Sequence, residues 1–587
     1  MTRLLCRLLL LLALAPFPGL AQELPGPDAG TGLAAGENLA GLDYAIWDQM
    51  ADRAESEIGN RYTSTARLEE IRAQLAKWRS AFLNAQSANS SRITTLREQV
   101  AALGPAPAEG VAESDDISRR REELASQLVK AQAPGIAAEE AYRRADGLIR
   151  EIDRTQRERQ ADALLQLWPS PLNPANWPEA AIGLSDTLLQ LWDETASAGA
   201  NPKSQKELFD NLPLIVVLLA VAAALMIVVR RWIETFTERL QAGASLRGRH
   251  FWALLASLGG VVLPSLGVVA LAGALVSSGM LGEIGARIAV ALPRAGVVIF
   301  GFVWLGAQAF PRLQGESPVL PLPPERRAEG RFLSLLMGLV IAADLIRSAA
   351  MDAQAYSDAT TAVMSFPILL TGGLILMRLA RTLRRAKPAE DKLAGYGLRL
   401  VLILARGLTA VGIAGPILAG FGYVQAAEAL IYPAMLSFAL VTFLFILQRL
   451  IGDGWALVTH SDETGREALV PVLAGFTLSI LALPVLALIW GARFSDLTEI
   501  WARFTEGFSL GGATISPTDF MIFAVVFVIG YMLTRLFQGA LRTTILPKTK
   551  MDQGGQTALV AGIGYIGIFL LMLVESARAI LRYRQAV

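Results

Sequence analysis

The chain has 587 residues, 53% of them hydrophobic and 18% charged, with a mean hydropathy of +0.43 and a formal net charge of +1. That length exceeds one compact domain, and that hydropathy is high for a soluble protein. A charge near zero, with no basic stripe interleaved with aromatic residues, gives no case for a nucleic-acid partner.

Met1 to Ala21 reads as a secretory signal: Arg3 and Arg7 precede the apolar Leu8–Leu14, and Gly19-Leu20-Ala21 offers a small-x-small cleavage site. The apolar run is too short to cross a bilayer. Cys6 is the only cysteine and is expected to leave with the signal. The mature chain is therefore expected to have no disulfide and no cysteine-ligated metal.

Residues 22–167 read as an exported helical domain. Trp47, Ala51, Ala54 and Ile58 suggest a short first helix. Leu68, Ile71, Leu75, Trp78 and Phe82, then Ile93, Leu96, Val100 and Leu103, alternate three- and four-residue steps. This a/d stripe predicts one helix of roughly 35 residues, a coiled-coil seam, ended by Gly104-Pro105-Ala106-Pro107. Ile117, Leu124, Leu128 and Ala131 predict a further helix stopped at Pro134-Gly135. Ala141, Ala145, Leu148, Ile152, Leu164 and Leu167 predict another. An antiparallel bundle is the economical arrangement. Two readings of it stand side by side, a sensing or partner-binding arm and a structural collar.

Residues 168–210 form a junction. Trp168 to Pro178, with its prolines, is expected to avoid regular helix and to form an interfacial or packed elbow. Ile182, Leu184, Leu188, Leu191 and Trp192 mark a short amphipathic helix after it.

Beyond it lie about ten apolar stretches of membrane-crossing length. They are Leu212–Val229, Phe251–Met280, Ile288–Phe310, Phe332–Met351, Thr360–Leu379, Leu398–Phe421, Ala429–Ile451, Ala468–Gly491, Asp519–Phe537 and Thr557–Val574. Gly259-Gly260 and Pro264 predict a kink in the second. With the N-terminal region exported, loops after odd-numbered spans hold Arg230-Arg231, Arg326-Arg327, the run from Arg378 to Lys387, and Lys548 with Lys550. Roughly 22 basic residues fall in those loops, against about three in the opposite set, which places the former in the cytoplasm. The expected localisation is the bacterial inner membrane, with the N-terminal domain in the periplasm. His250 and His460 both fall in expected cytoplasmic loops, and no metal site is proposed for them.

Charge inside hydrocarbon is costly. Asp344 and Arg347, three residues apart near a span end, are expected to form an intramembrane ion pair. Arg294, Arg399 and Arg406 are expected to snorkel. A proton relay would need several midplane carboxylates, and none is apparent. No catalytic set, cofactor motif or metal-ligating cluster stands in a plausible context, so neither an enzyme nor a cofactor is expected.

The most specific stretch follows residue 519. A span with Arg535 at its cytoplasmic end leads to Leu546-Pro547-Lys548, then Gly554-Gly555, then a helix with Gly562, Gly564, Tyr565 and Gly567. This resembles the first two helices of the MscS-like mechanosensitive ion channel module. The resemblance makes Pro547, Gly554, Gly555, Gly562, Gly564 and Gly567 candidates for helix packing and gating, since small residues let neighbouring helices approach and slide. The whole plan is similar to large, MscK-type members, and the exported region resembles the DUF3772 domain found in some of them. The fold this implies is all-α: a periplasmic helical bundle followed by a polytopic membrane domain. The implied function is tension sensing for osmotic release, with the lipid bilayer and further copies of the chain as partners. A periplasmic protein partner is a further expectation.

Relatives continue into a pore helix and a β-rich domain, whereas here residues 576–587 form a short charged tail. The expectation is a chain that does not conduct alone, through a shortened reading frame or as a pore-less subunit. Two alternatives remain. A secondary transporter or exporter component would use broken helices such as those around Pro264, Pro416 and Pro484. A membrane scaffold would use the exported arm to bind a partner.

Overall fold

The computed structural model describes residues 42–87, 89–105, 114–228, 249–311, 324–351, 356–385, 394–459, 469–506, 508–510 and 513–515, plus isolated helical positions such as Gly562. The expected signal segment, spans nine and ten, and Pro547, Gly554, Gly555, Gly564 and Gly567 lie outside the described residues. The chain divides into two compact units, Met1–Thr155 and Gln156–Val587. The fold class is all-α; among the described residues the exception is a small antiparallel hairpin, β1 (Phe508–Leu510) with β2 (Ala513–Ile515).

In the first unit, α1 (Tyr44–Gly59) begins where Asp43 accepts from the backbone N–H groups of Ala45 and Ile46, satisfying donors the helix cannot. The stripe expected to be one helix is two, α2 (Thr65–Ser87) and α3 (Ser90–Ala102). Gly104, at φ +78°, ends α3 in the left-handed region that glycine tolerates. In contrast, Pro134 does not stop its helix: α4 runs unbroken over Asp115–Leu165, 51 residues. The two corrections share one location. Asn89, at the α2–α3 break, donates from Nδ2 to the Ala131 carbonyl at 3.3 Å, in the turn disturbed by the proline ring.

Both α2 and α3 pair antiparallel with α4. Arg72 meets Asp153 at 2.7 Å, Arg79 meets Asp146 at 3.0 Å, and Arg121 donates to the Gly104 carbonyl at 3.0 Å. The predicted stripe is buried. Leu68, Ile71, Leu75 and Phe82 close on Ala145, Ile149 and Ile152, while Leu96 packs with Leu124 and Ala131. Each large side chain so buried contributes about 1.5–3 kcal/mol. Trp47 brings α1 onto this seam, edge-on to Phe82 at 5.0 Å between ring centroids, and Arg144 reaches Asp48, Asp52 and Glu55.

The second unit holds α5 (Trp177–Ala200), α6 (Pro202–Ala223, extended by a π-helical turn over Ala224–Val228), α7 (Arg249–Ser257) and α8 (Gly259–Ser277). It continues with α9 (Glu283–Ala309), α10 (Pro324–Met351), α11 (Asp358–Leu383), α12 (Ala394–Phe421), α13 (Val424–Thr459), α14 (Leu469–Ile489) and α15 (Phe494–Glu506). Among the described residues eight helical stretches are long and apolar enough to cross a membrane, matching the first eight expected spans. The chain is a multi-pass membrane protein. The expected kink is a break at Leu258, between α7 and α8. His250, expected in a loop, falls in the first turn of α7.

The centre of this unit is α11. Half of its most apolar window is buried, against 6% for each of the spans formed by α6 and α14. Leu369, Leu376 and Leu379 sit in a core with Met337, Ala405, Ile431, Met435 and Phe438. Backbones approach closely there. A Cβ on Gly373 would collide with the Pro416 ring and meet the Gly412 carbonyl at 2.9 Å, and one on Gly412 would meet the Gly373 carbonyl at 2.8 Å. Small residues thus do for α11 and α12 what the sequence assigned to the C-terminal glycines. Gly562, by contrast, has open space where a Cβ would lie.

Candidate functional site at one end of the membrane bundle

The junction folds as an elbow. Asn173 accepts from the Ala175 N–H, Trp177 Nε1 donates to the Pro171 carbonyl at 2.8 Å, and Asn176 donates to the Ser170 carbonyl at 2.9 Å. The expected irregular stretch ends one residue before Trp177, because Pro178 in the first turn of α5 has no N–H that the helix needs.

This elbow latches onto two loops. The Trp168 N–H donates to the Gly422 carbonyl at 3.0 Å, and Ser170 Oγ to the Gly420 carbonyl at 2.7 Å. Gly422 has φ +103°, and an added Cβ would strike the Trp168 carbonyl. On the other side, Ser357 Oγ donates to Glu179 at 2.5 Å, and Tyr356 binds both the Gly183 carbonyl and Thr187. Burial and then the charge of Asp186 raise the Tyr356 phenol above its ordinary pKa, so it stays a neutral donor. Residues preceding the first span thus meet the loops after the fourth and sixth. All three belong on one side of a bilayer if every span crosses once.

Between these anchor points lies the predicted ion pair, enlarged. Arg347 Nη2 donates to Asp344 Oδ1 at 2.6 Å and Nε to the same oxygen at 3.0 Å. The same Nη2 reaches Glu428 Oε1 at 3.3 Å, tying α10 to α13. Nη1 contacts the Met351 sulfur at 3.2 Å. The Tyr432 hydroxyl is buried beside Asp344 without closing a hydrogen bond of good geometry. Two carboxylates sharing one guanidinium leave the cluster with a formal charge of −1 when ionised. Glu428 lies one residue before the seventh span expected from the sequence, which starts at Ala429. Glu428 and Tyr432, one turn apart at the start of an apolar run, were the available signal.

The opposite end of the bundle is held by different ions. Glu329 binds Arg378 at 2.5 Å and Arg326 at 3.6 Å, and Arg331 caps the end of α9 by donating to the Phe310 carbonyl at 2.7 Å. Arg294 and Arg406 are exposed, as snorkelling requires. Among the described residues, no group of three or more His, Cys, Asp or Glu side chains is placed to hold a metal.

The family model of DUF3772, a protein family of unknown function, matches residues 135–197. This stretch is the second half of α4, the elbow and most of α5, the elements that carry the latch. A search among curated proteins gives no match.

Proposed function

We propose that this chain is an inner-membrane protein of the MscS-like mechanosensitive family, with its arm in the periplasm, sensing bilayer tension for osmotic release of ions and solutes. The observation that carries the reading is the sequence of 546–570, whose Leu-Pro-Lys and regularly spaced glycines resemble the start of that family's pore module. Two features of the bundle support it. Among the described residues, spans α6 and α14 bury little of themselves while α11 buries half, which leaves the outer spans' faces open to a bilayer. Tension acts on membrane area, and elements coupled mainly to lipid are those it can displace against a fixed core. The latch meanwhile ties the segment before the first span to the loops of the central spans.

The test uses spin labels at Val216→Cys on α6 and Leu374→Cys on α11, both on exposed faces, in full-length protein with Cys6→Ser. Pulsed electron resonance distances should lengthen when lysolipid is added to one leaflet. An unchanged distribution under the same treatment contradicts tension sensing. A transporter reading would need carboxylates at mid-bilayer, and the cluster around Arg347 stands near the end of α10 instead.

A further inference from the structure

Two cavities of opposite character share Arg347, Met351 and Tyr356 in their walls. The first, about 710 Å³, lies between α5, α10 and α11 and is walled by Ala180, Leu184, Ile346, Val363 and Pro367. The second, about 620 Å³, is polar, with Glu428, Gln425, Ser348 and Trp168 in its wall. Both lie within the second compact unit. The apolar cavity runs along two membrane-crossing helices, so in a bilayer it faces hydrocarbon, and an empty apolar void there forfeits dispersion contacts. The polar cavity opens at the end of the same helices, where headgroups lie.

We propose that these two adjoining cavities together hold one phospholipid with a primary-amine headgroup: an acyl chain in the apolar groove and the headgroup in the polar cleft, its ammonium against Glu428. Charge selects the headgroup. The charged residues in the polar wall are Glu428 and Arg347, and Asp344 shares the same guanidinium, so two carboxylates meet one cation. Glu428 spends only one long bond, 3.3 Å, on Arg347, leaving acceptor capacity for an ammonium. Arg347 Nη1, turned to the weak acceptor sulfur of Met351, is the donor for the phosphate. Trp168 Nε1, buried in the cleft wall without a hydrogen-bond partner, supplies a second donor. A headgroup with negative charge and no amine would add repulsion to an acidic mouth. The inference does not depend on whether the chain senses tension. A lipid seated there would touch the latch through Tyr356 and the α10–α13 tie through Arg347.

The experiment is native mass spectrometry of the full chain in detergent, with equal amounts of dioleoyl phosphatidylethanolamine and phosphatidylglycerol. One ethanolamine lipid should be retained over the glycerol lipid by about tenfold or more, the worth of one charge-assisted hydrogen bond. Glu428→Gln should bring the two within about twofold, and Ala343→Phe, which fills the groove, should remove retention of both. Val472→Phe, on the exposed face of α14, should change neither. If Glu428→Gln fails to fold, phosphatidylcholine on the unaltered protein replaces it, because its quaternary amine has no N–H to donate and should be retained less. Equal retention of the ethanolamine and glycerol lipids by the unaltered protein overturns the headgroup assignment. Retention undiminished by Ala343→Phe, or displacement by soluble phosphoethanolamine, overturns the groove.

Discussion

In the arm, Leu68, Ile71, Leu75 and Phe82 are fully inside while Arg and Glu side chains cover the surface. In the membrane unit, Val216, Leu374, Ile413 and Val472 face outward, and the close contacts at the centre belong to Gly373, Gly412 and Pro416. The same backbone is sorted by two solvents. Water rewards burial of large apolar groups, so the arm needs only a seam of them, zipped by ions such as Arg72–Asp153. Lipid gives no such reward, so helices there associate through shape, and small residues decide how near they come. Arm contacts include specific ion pairs, whereas the outer spans α6 and α14 are little buried among the described residues.

The contrast can be broken in order of expected effect. Arg72→Ala removes the guanidinium that binds both oxygens of the buried Asp153 carboxylate and should destabilise the arm by about 3 kcal/mol, read as lost amide protection in α2 and α4 of the full chain. The double change Arg72→Leu with Asp153→Leu should recover most of that, because it removes both charges. Gly373→Leu overpacks the α11–α12 crossing and should cost about 3 kcal/mol, seen as a lower unfolding temperature in detergent. Leu374→Phe, next door but lipid-facing, should move it by about 0.5 kcal/mol or less.

Gly422→Ala acts on the latch. The left-handed backbone costs about 1–2 kcal/mol with a Cβ, and the Trp168 carbonyl is in its way. Faster exchange of the Trp168 amide is the readout, and slow exchange in the variant would disprove the latch. Smallest is Arg144→Ala. Its three carboxylate partners are largely exposed, so the loss should be about 1 kcal/mol or less and should shrink further in salt.

Much of this organisation was legible in one dimension. Eight spans, the break near Gly259-Gly260, the stop at Gly104 and the Asp344–Arg347 pair all follow from length, glycine position or i,i+3 spacing, which are local quantities. What escaped depends on partners distant in sequence. Pro134 reads as a stop, but the helix continues where Asn89 crosses from another helix to its disturbed turn. Glu428 joins Arg347 only because α10 and α13 are neighbours. Gly373 and Gly412 stand among many membrane-helix glycines, and nothing in their spacing says which pair of backbones will touch.

The distribution of basic residues predicts a threading that puts the exported arm and the loops after even-numbered spans on one side of the membrane and the arginine-rich loops on the other. Labelling intact spheroplasts with a membrane-impermeant maleimide tests it on three single-cysteine variants: Tyr62→Cys in the arm, Asp358→Cys after the fourth span and Arg385→Cys after the fifth, all exposed. The first two should react from outside and the third only after permeabilisation. Outside labelling at position 385, or protection at 358 while 62 reacts, would contradict the account.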